Sequence, residues 1–167
     1  IHRGTVQDKA VTKIGNDNLF MAYAHVAHDC IVGDNNVFAN SAGIAGHVEV
    51  GSFVTIGGFS AVHQFCILGD YSFVGMNSSI TMDVPAYVKV ASNPARVIGL
   101  NSVGMSRNEI SSESISLIKK AYKLVYKKGY RLEDAVNKLI MLSGESDDKF
   151  LDTFIKSIQS STRGILR

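Results

Sequence analysis

The sequence predicts a mainly β protein with an α-helical end: a three-sided parallel β-helix over residues 1–92, followed by a helical domain over residues 93–167. Three observations predict it. A large apolar residue recurs at every sixth position, the position after it is mostly Gly or Ala, and the period stops at Pro85, beyond which the composition changes.

The apolar positions are Ile14, Phe20, Val26, Val32, Phe38, Ile44, Val50, Ile56, Val62, Leu68, Val74 and Ile80, twelve units without a slip. Tiny residues follow them, as at Gly15, Ala27, Gly33, Ala45 and Gly51, and the fifth position of each unit is small or medium, as at Ala24, Cys30, Ala42, Ser60 and Cys66. A helix repeats every 3.6 residues and an ordinary strand every two, so neither explains six. A coiled prism does. Each unit gives one short strand and a tight turn with its large residue inward, and three units close a coil. Coils then stack as parallel strands ~4.8 Å apart. Tyr87-Val88-Lys89-Val90 is one more apolar stretch, and Ser92-Asn93-Pro94 a turn.

Past Asn101 the glycines thin out. Ser111-Ser112-Glu113-Ser114 precedes Ile115, Ile118, Ala121, Tyr122 and Val125 at helical spacing, with Lys127, Lys128 and Gly129 at the end, which reads as a capped helix. Two further helices are expected over about 132–142 and 147–158. Because the chain opens at Ile1 inside a repeat, we expect earlier coils upstream.

Composition limits the function. The 167 residues hold 17 basic and 15 acidic side chains, a net charge of +2 with no dense basic tract, so we expect no nucleic-acid ligand. No apolar run reaches the roughly 20 residues of a membrane-spanning helix, and no membrane insertion is expected. Two cysteines make no disulfide framework, which points to the cytosol. Cys30 and Cys66 fall in one column two coils apart, too far for a bond, and read as small core residues. The helical part is the basic one, with 12 basic and 8 acidic residues against 5 and 7 in residues 1–100.

With three units to a coil, positions three units apart lie above one another, and sequence distance becomes spatial distance. His28, Gly46 and Gln64 fall in one column, His47 sits one place to one side and His63 one place to the other. Asp29 shares the column of His47, and His25 lies three places before His28. A lone histidine at such a corner is most simply a solvated structural residue, but several along one edge over three coils, within about 10 Å, point to chemistry. Two chemistries suit the cluster. In one, a neutral imidazole takes a proton from an acceptor hydroxyl, a neighbouring carboxylate fixes its tautomer, and a backbone N–H stabilises an oxyanion; His28, Asp29 and Gly46 suit these roles. In the other, three histidines hold zinc that activates water, a set drawn from His28, His47 and His63. Gln64 and the adjacent His-Asp pair are features that acyl transfer uses and a three-histidine zinc site does not require.

The strings Ala24-His25-Val26-Ala27-His28-Asp29-Cys30, Ala45-Gly46-His47-Val48 and Ala61-Val62-His63-Gln64-Phe65-Cys66 resemble the UDP-N-acetylglucosamine O-acyltransferase family of lipid A biosynthesis. Asp83-Val84-Pro85, Ala121-Tyr122-Lys123-Leu124 and Ser161-Thr162-Arg163-Gly164 match it in order. The resemblance implies a left-handed parallel β-helix of hexapeptide repeats and a homotrimer with active sites between neighbouring prisms. It implies transfer of an (R)-3-hydroxyacyl group from acyl carrier protein to the 3-hydroxyl of UDP-N-acetylglucosamine, with no cofactor and no metal. By position, His28 is the base, Asp29 its partner and Gly46 N–H the oxyanion donor. His25, His47, His63 and Gln64 hold the sugar nucleotide and orient the acyl group, and Asn101 and Arg107 bind the nucleotide. The family often has a second basic residue after the arginine and a carboxylate near the ribose; here these positions hold Asn108 and Val103. Met76 borders the implied acyl groove and shortens it, which predicts a chain nearer ten carbons than fourteen. Lys119, Lys120, Lys123, Lys127, Lys128 and Arg131 offer a basic surface to the acidic carrier protein. The rivals are an N-acyltransferase of the same pathway, a zinc hydratase and a non-catalytic solenoid.

Overall fold

A computed structural model describes residues 1–6 and 10–167. Twelve two-residue strands, β1 to β12, occupy Lys13–Ile14, Leu19–Phe20, His25–Val26, Ile31–Val32, Val37–Phe38, Gly43–Ile44, Glu49–Val50, Thr55–Ile56, Ala61–Val62, Ile67–Leu68, Phe73–Val74 and Ser79–Ile80. Each ends on the large apolar residue of its unit. Strands β1, β4, β7 and β10 form the first face of the prism, β2, β5, β8 and β11 lie in the second, and β3, β6, β9 and β12 form the third. Pairing is parallel and joins equivalent positions of successive coils, as in Val26 against Ile44 and Ile44 against Val62. From Val26 to Ile80 every inward residue of this series is at most 3% exposed, each contributing roughly 1.5–3 kcal/mol of burial.

The tight corners divide the work between two positions. From Ile14 to Val74 the left-handed backbone falls on the third residue after each apolar one, including Asp29 (φ 58°), His47 (φ 62°) and Phe65 (φ 64°), none of them glycine. The glycines directly after the apolar residue serve the approach of neighbouring coils instead: a Cβ on Gly57 would lie 2.5 Å from Met76 N, and one on Gly33 2.6 Å from Gly51 O. Between the first and second faces an asparagine ladder holds the corner, with Val54 N–H donating to Asn36 Oδ1 (2.7 Å) and Asn36 N–H to Asn18 Oδ1 (2.8 Å).

The offset shortens at the end. Phe73 and Val74 pair with Lys89 and Val90 on β13 (Val88–Ala91), short of a full coil, and β14 (Arg96–Leu100) turns back antiparallel to β13. The sheet therefore continues past the boundary expected after residue 92. Four helices follow: α1 (Ser102–Arg107), α2 (Ser112–Tyr126), α3 (Leu132–Gly144) and α4 (Lys149–Gln159). The three expected helices are α2 to α4; α1 is too short for a periodic signal. Ser111 Oγ caps α2 by accepting from Ser114 N–H, Lys127 caps its other end, and Gly129 two residues on takes a positive φ (70°).

Two strings far apart in the chain, one at its middle and one near its end, meet over the last coil. Asp83 accepts from Ile67 N–H at Oδ1 (2.8 Å) and from the Ser161 hydroxyl at Oδ2 (2.7 Å), while Asp83 N–H donates to Gly164 O (3.0 Å). The Ser157 hydroxyl of α4 accepts from Ala86 N–H. These bonds pin the terminal segment and α4 to the prism.

Candidate active site

His28 and Asp29 follow β3, at the edge between the third and first faces. Asp29 sets the orientation of the His28 ring: Nδ1 lies 2.9 Å from Asp29 Oδ2, the imidazole side chain is 42% exposed and the carboxylate side chain fully buried. With Asp29 accepting from Nδ1–H, the lone pair resides on Nε2, the nitrogen left to accept a proton.

Asp29 is held from below by Thr5. The Thr5 hydroxyl donates to Oδ2 (2.7 Å), and Thr5 N–H lies 3.1 and 3.0 Å from Oδ1 and Oδ2. Asp29 N–H itself donates to Thr12 Oγ1 (2.9 Å). Burial opposes the charge on Asp29, but the Thr5 hydroxyl, the His28 ring, the Thr5 N–H and the nearby His47 outweigh it and hold the carboxyl down to about 2. Thr5 reaches this place because its segment departs from the coil. Lys13 N–H donates to Cys30 O in the ordinary register, whereas His2 N–H donates to Val26 O, a separation well beyond one coil. Thr5 lies across Asp29, and His28 and residues 2–6 line an open cleft of about 660 Å³.

Gly46 stands one coil above His28, as the column predicts. The space a side chain would take there is filled by the imidazole: an ideal Cβ on Gly46 lies 2.6 Å from His28 Cε1 and 2.8 Å from Nε2. The glycine thus makes room for the imidazole. Among the described residues no protein acceptor takes the Gly46 N–H. His47 meets the His28 ring edge-on (centroids 5.1 Å apart) and stacks on Phe65 (4.5 Å).

The remaining histidines are less tightly gathered. His63 and Gln64 are exposed at the same edge one coil higher, with His63 Nδ1 3.1 Å from Gln64 O. His25 is on β3 and packs against His2, at 5.1 Å between centroids. The sequence reading missed His2 and Thr5, whose departure from the coil hides their position. Cys30 and Cys66 are buried and unbridged; burial pushes both thiols up, Cys66 to about 11.

For a metal, the group within reach among the described residues is His28, Asp29 and His47, one donor atom of each lying within 4.8 Å of the others. It includes Asp29 in place of His63. Both Asp29 oxygens already accept hydrogen bonds from Thr5, and Oδ2 also meets His28 Nδ1, so the donor set suits proton transfer better than a cation.

A family profile described as UDP N-acetylglucosamine O-acyltransferase, Domain 2, matches residues 83–166, half of the chain, and a bacterial transferase hexapeptide profile matches residues 12–46. The chain belongs to the UDP-N-acetylglucosamine O-acyltransferase family.

It is 47% identical, over its whole length, to the acyl-[acyl-carrier-protein]–UDP-N-acetylglucosamine O-acyltransferase of Pseudomonas paraeruginosa, and spans 64% of that protein. A crystal structure of the UDP-N-acetylglucosamine O-acyltransferase from Moraxella catarrhalis RH4 matches 99% of this chain and 64% of its own at 48% identity, with a TM-score of 0.95. The Francisella novicida UDP-N-acetylglucosamine acyltransferase matches 98% and 59% at 34% identity, with a TM-score of 0.93. These likenesses support the left-handed coil expected for the family.

The family's implied nucleotide residues lie on another side of the prism. Asn101 caps α1: its Oδ1 accepts from Gly104 N–H (3.0 Å), its Nδ2 donates to Tyr71 O (2.9 Å), and the residue is 7% exposed. Both polar ends of Asn101 are thus committed to shaping the cleft. Exposed Arg107 ends α1, and both line clefts between this helix and the second face. The histidine edge joins the first and third faces, so in a triangular prism it stands opposite the second. Met76, 72% exposed, lies at the edge between the second and third faces. The third face between it and the histidines presents the short outward residues Gly43, Ala61 and Ser79.

Proposed function

We propose that this chain carries the acyl-transfer centre and the nucleotide cleft of an enzyme that moves an (R)-3-hydroxyacyl group from acyl carrier protein to the 3-hydroxyl of UDP-N-acetylglucosamine, the first step of lipid A biosynthesis. The observation that carries this reading is the His28–Asp29 pair with its imidazole seated over Gly46. The names of the relatives support the substrates.

His28 Nε2 takes the proton of the sugar 3-hydroxyl, and the oxygen attacks the thioester carbonyl. The negative charge that develops on the carbonyl oxygen is met by the Gly46 N–H. Collapse breaks the C–S bond, and the imidazolium returns its proton to the departing thiolate. Asp29, ionised throughout, keeps Nδ1 protonated and steadies the imidazolium. His25, His47, His63 and Gln64 hold the sugar nucleotide and orient the acyl group. This sequence needs neither a cofactor nor a metal.

The assembly is a homotrimer in this reading. The opposed placement of His28 and Arg107 supports a shared site, in which the edge of one prism faces the α1 cleft of the next. Lys119, Lys120, Lys123, Lys127 and Lys128 are exposed on and just after α2, with Arg131 nearby, and offer acyl carrier protein a basic, salt-sensitive docking surface. Met76 closes the acyl groove near ten carbons. None of the helices is long and apolar enough to cross a membrane among the described residues; the reading itself carries a cytosolic setting.

The deciding assay incubates the protein with UDP-N-acetylglucosamine and a panel of 3-hydroxyacyl carrier proteins and locates the new ester. Ester at the 3-oxygen, lost by at least about a hundredfold in His28→Ala, is the expected result. Acylation of an amine, or equal turnover by His28→Ala, removes the reading.

A further inference from the structure

The cleft between α1 and the second face contains a charge that the family's implied residues leave out. About 290 Å³ in volume, it is lined by Thr55, Phe73, Lys89, Asn101, Val103 and Arg107, together with Gly104. Two of these are cations and none is an acid. Lys89 comes from β13, where its neighbours Val88 and Val90 point into the core and Lys89 points out, in register with Phe73 of β11. Its stem is half-buried and its ammonium lies 5.4 Å from the centre of the Phe73 ring, which fixes the side chain over the cleft. Among the described residues neither Lys89 nor Arg107 has a carboxylate within ion-pair distance.

Two like charges beside one small cleft, without an acid between them, repel until an anion arrives. On α1 itself Arg107 has no basic neighbour to help it: Asn108 is neutral, and its amide donates to Gly104 O (2.8 Å). A diphosphate spreads its charge over two phosphoryl groups, more than one exposed guanidinium neutralises. We propose that Lys89 is the second cation of the nucleotide site, so that the helix supplies Arg107 and the sheet supplies Lys89 to the diphosphate of the UDP-sugar. The inference rests on the acyl-transfer reading above for the identity of the ligand, and adds a specificity residue to it.

The test compares wild-type, Lys89→Met and Lys89→Arg proteins. Methionine keeps the stem on Phe73 and removes only the charge, and an unchanged far-UV spectrum checks the fold. Calorimetric titration is expected to show UDP affinity falling about tenfold in Lys89→Met, with arginine restoring most of it and the response to added salt weakened. In turnover the KM for UDP-N-acetylglucosamine rises by a similar factor while kcat stays within about twofold. Wild-type turnover with an equal UDP affinity in Lys89→Met overturns the role of Lys89 and leaves the acyl-transfer reading standing. A wild-type protein that neither binds UDP nor esterifies the sugar overturns both.

Discussion

The Thr5 hydroxyl and the Asp29 carboxylate, distant in the chain, are joined at 2.7 Å, and the Thr5 N–H adds contacts of 3.1 and 3.0 Å to the two carboxylate oxygens. Thr5 therefore aims the group that aims His28. Thr5→Val keeps the shape and the backbone bond but loses the hydroxyl, and kcat is expected to fall roughly ten- to a hundredfold, with Thr5→Ser restoring it. Against the opposing effect of burial, the same bond helps hold the Asp29 carboxyl at about 2, below its ordinary 3.8. Ionised Asp29 thus adds stability above pH ~4 that disappears as pH falls through about 2. Melting curves should separate wild type from Thr5→Val at neutral pH and converge near pH 2.

Gly46 and His28 share one volume. Alanine at position 46 places a methyl 2.6 Å from the imidazole, so the ring must swing out of its bond to Asp29 while the backbone, which no positive φ constrains there, stays put. Gly46→Ala is expected to lose about a hundredfold in kcat with little change in melting temperature. Activity within a factor of two of wild type would show that the ring position is not needed.

A site shared between protomers predicts complementation. His28→Ala and Arg107→Ala proteins are each impaired alone; co-assembled as random trimers, they form sites with an intact His28 from one protomer and an intact Arg107 from another. Recovery to about a quarter of the wild-type rate is expected. No recovery from verified mixed assemblies places both residues in one protomer's site.

Met76 stands 72% exposed beside a face of Gly, Ala and Ser, and in the proposed reading its unbranched side chain sets the length of the acyl groove. Met76→Gly is expected to move the preferred donor toward longer acyl chains at unchanged stability. An unaltered chain-length profile removes Met76 from the groove.

Metal analysis addresses the rival chemistry at the same edge. With both Asp29 oxygens engaged, purified protein is expected to hold far less than one zinc per chain and to keep its rate after chelation. Stoichiometric zinc lost by His28→Ala or His47→Ala would instead support the hydratase.

The coil register holds without a slip through Ile80, so the columns of His28 with Gly46, and of Asp29 with His47, were legible before any coordinates. Helices α2 to α4 were legible from caps and periodic apolar residues. Thr5 was not, because its segment leaves the coil and surplus residues break the count. The short α1 was not, since its position depends on the β13–β14 hairpin and on Asn101 bonding to Tyr71 O, far back in the chain.

The sequence by itself determined the prism, its three faces and the ridge of histidines, because a strictly repeating unit has one distance between equivalent positions and that distance can be counted. Only the tertiary structure decided that Asp29 is buried beneath Thr5, that the room above His28 belongs to its own ring, and that Lys89 and Arg107 share a cleft on the opposite side. Each of these rests on a departure from the repeat, a loop, a hairpin or a side-chain direction, and its outcome depends on packing between segments whose separation in the chain carries no period.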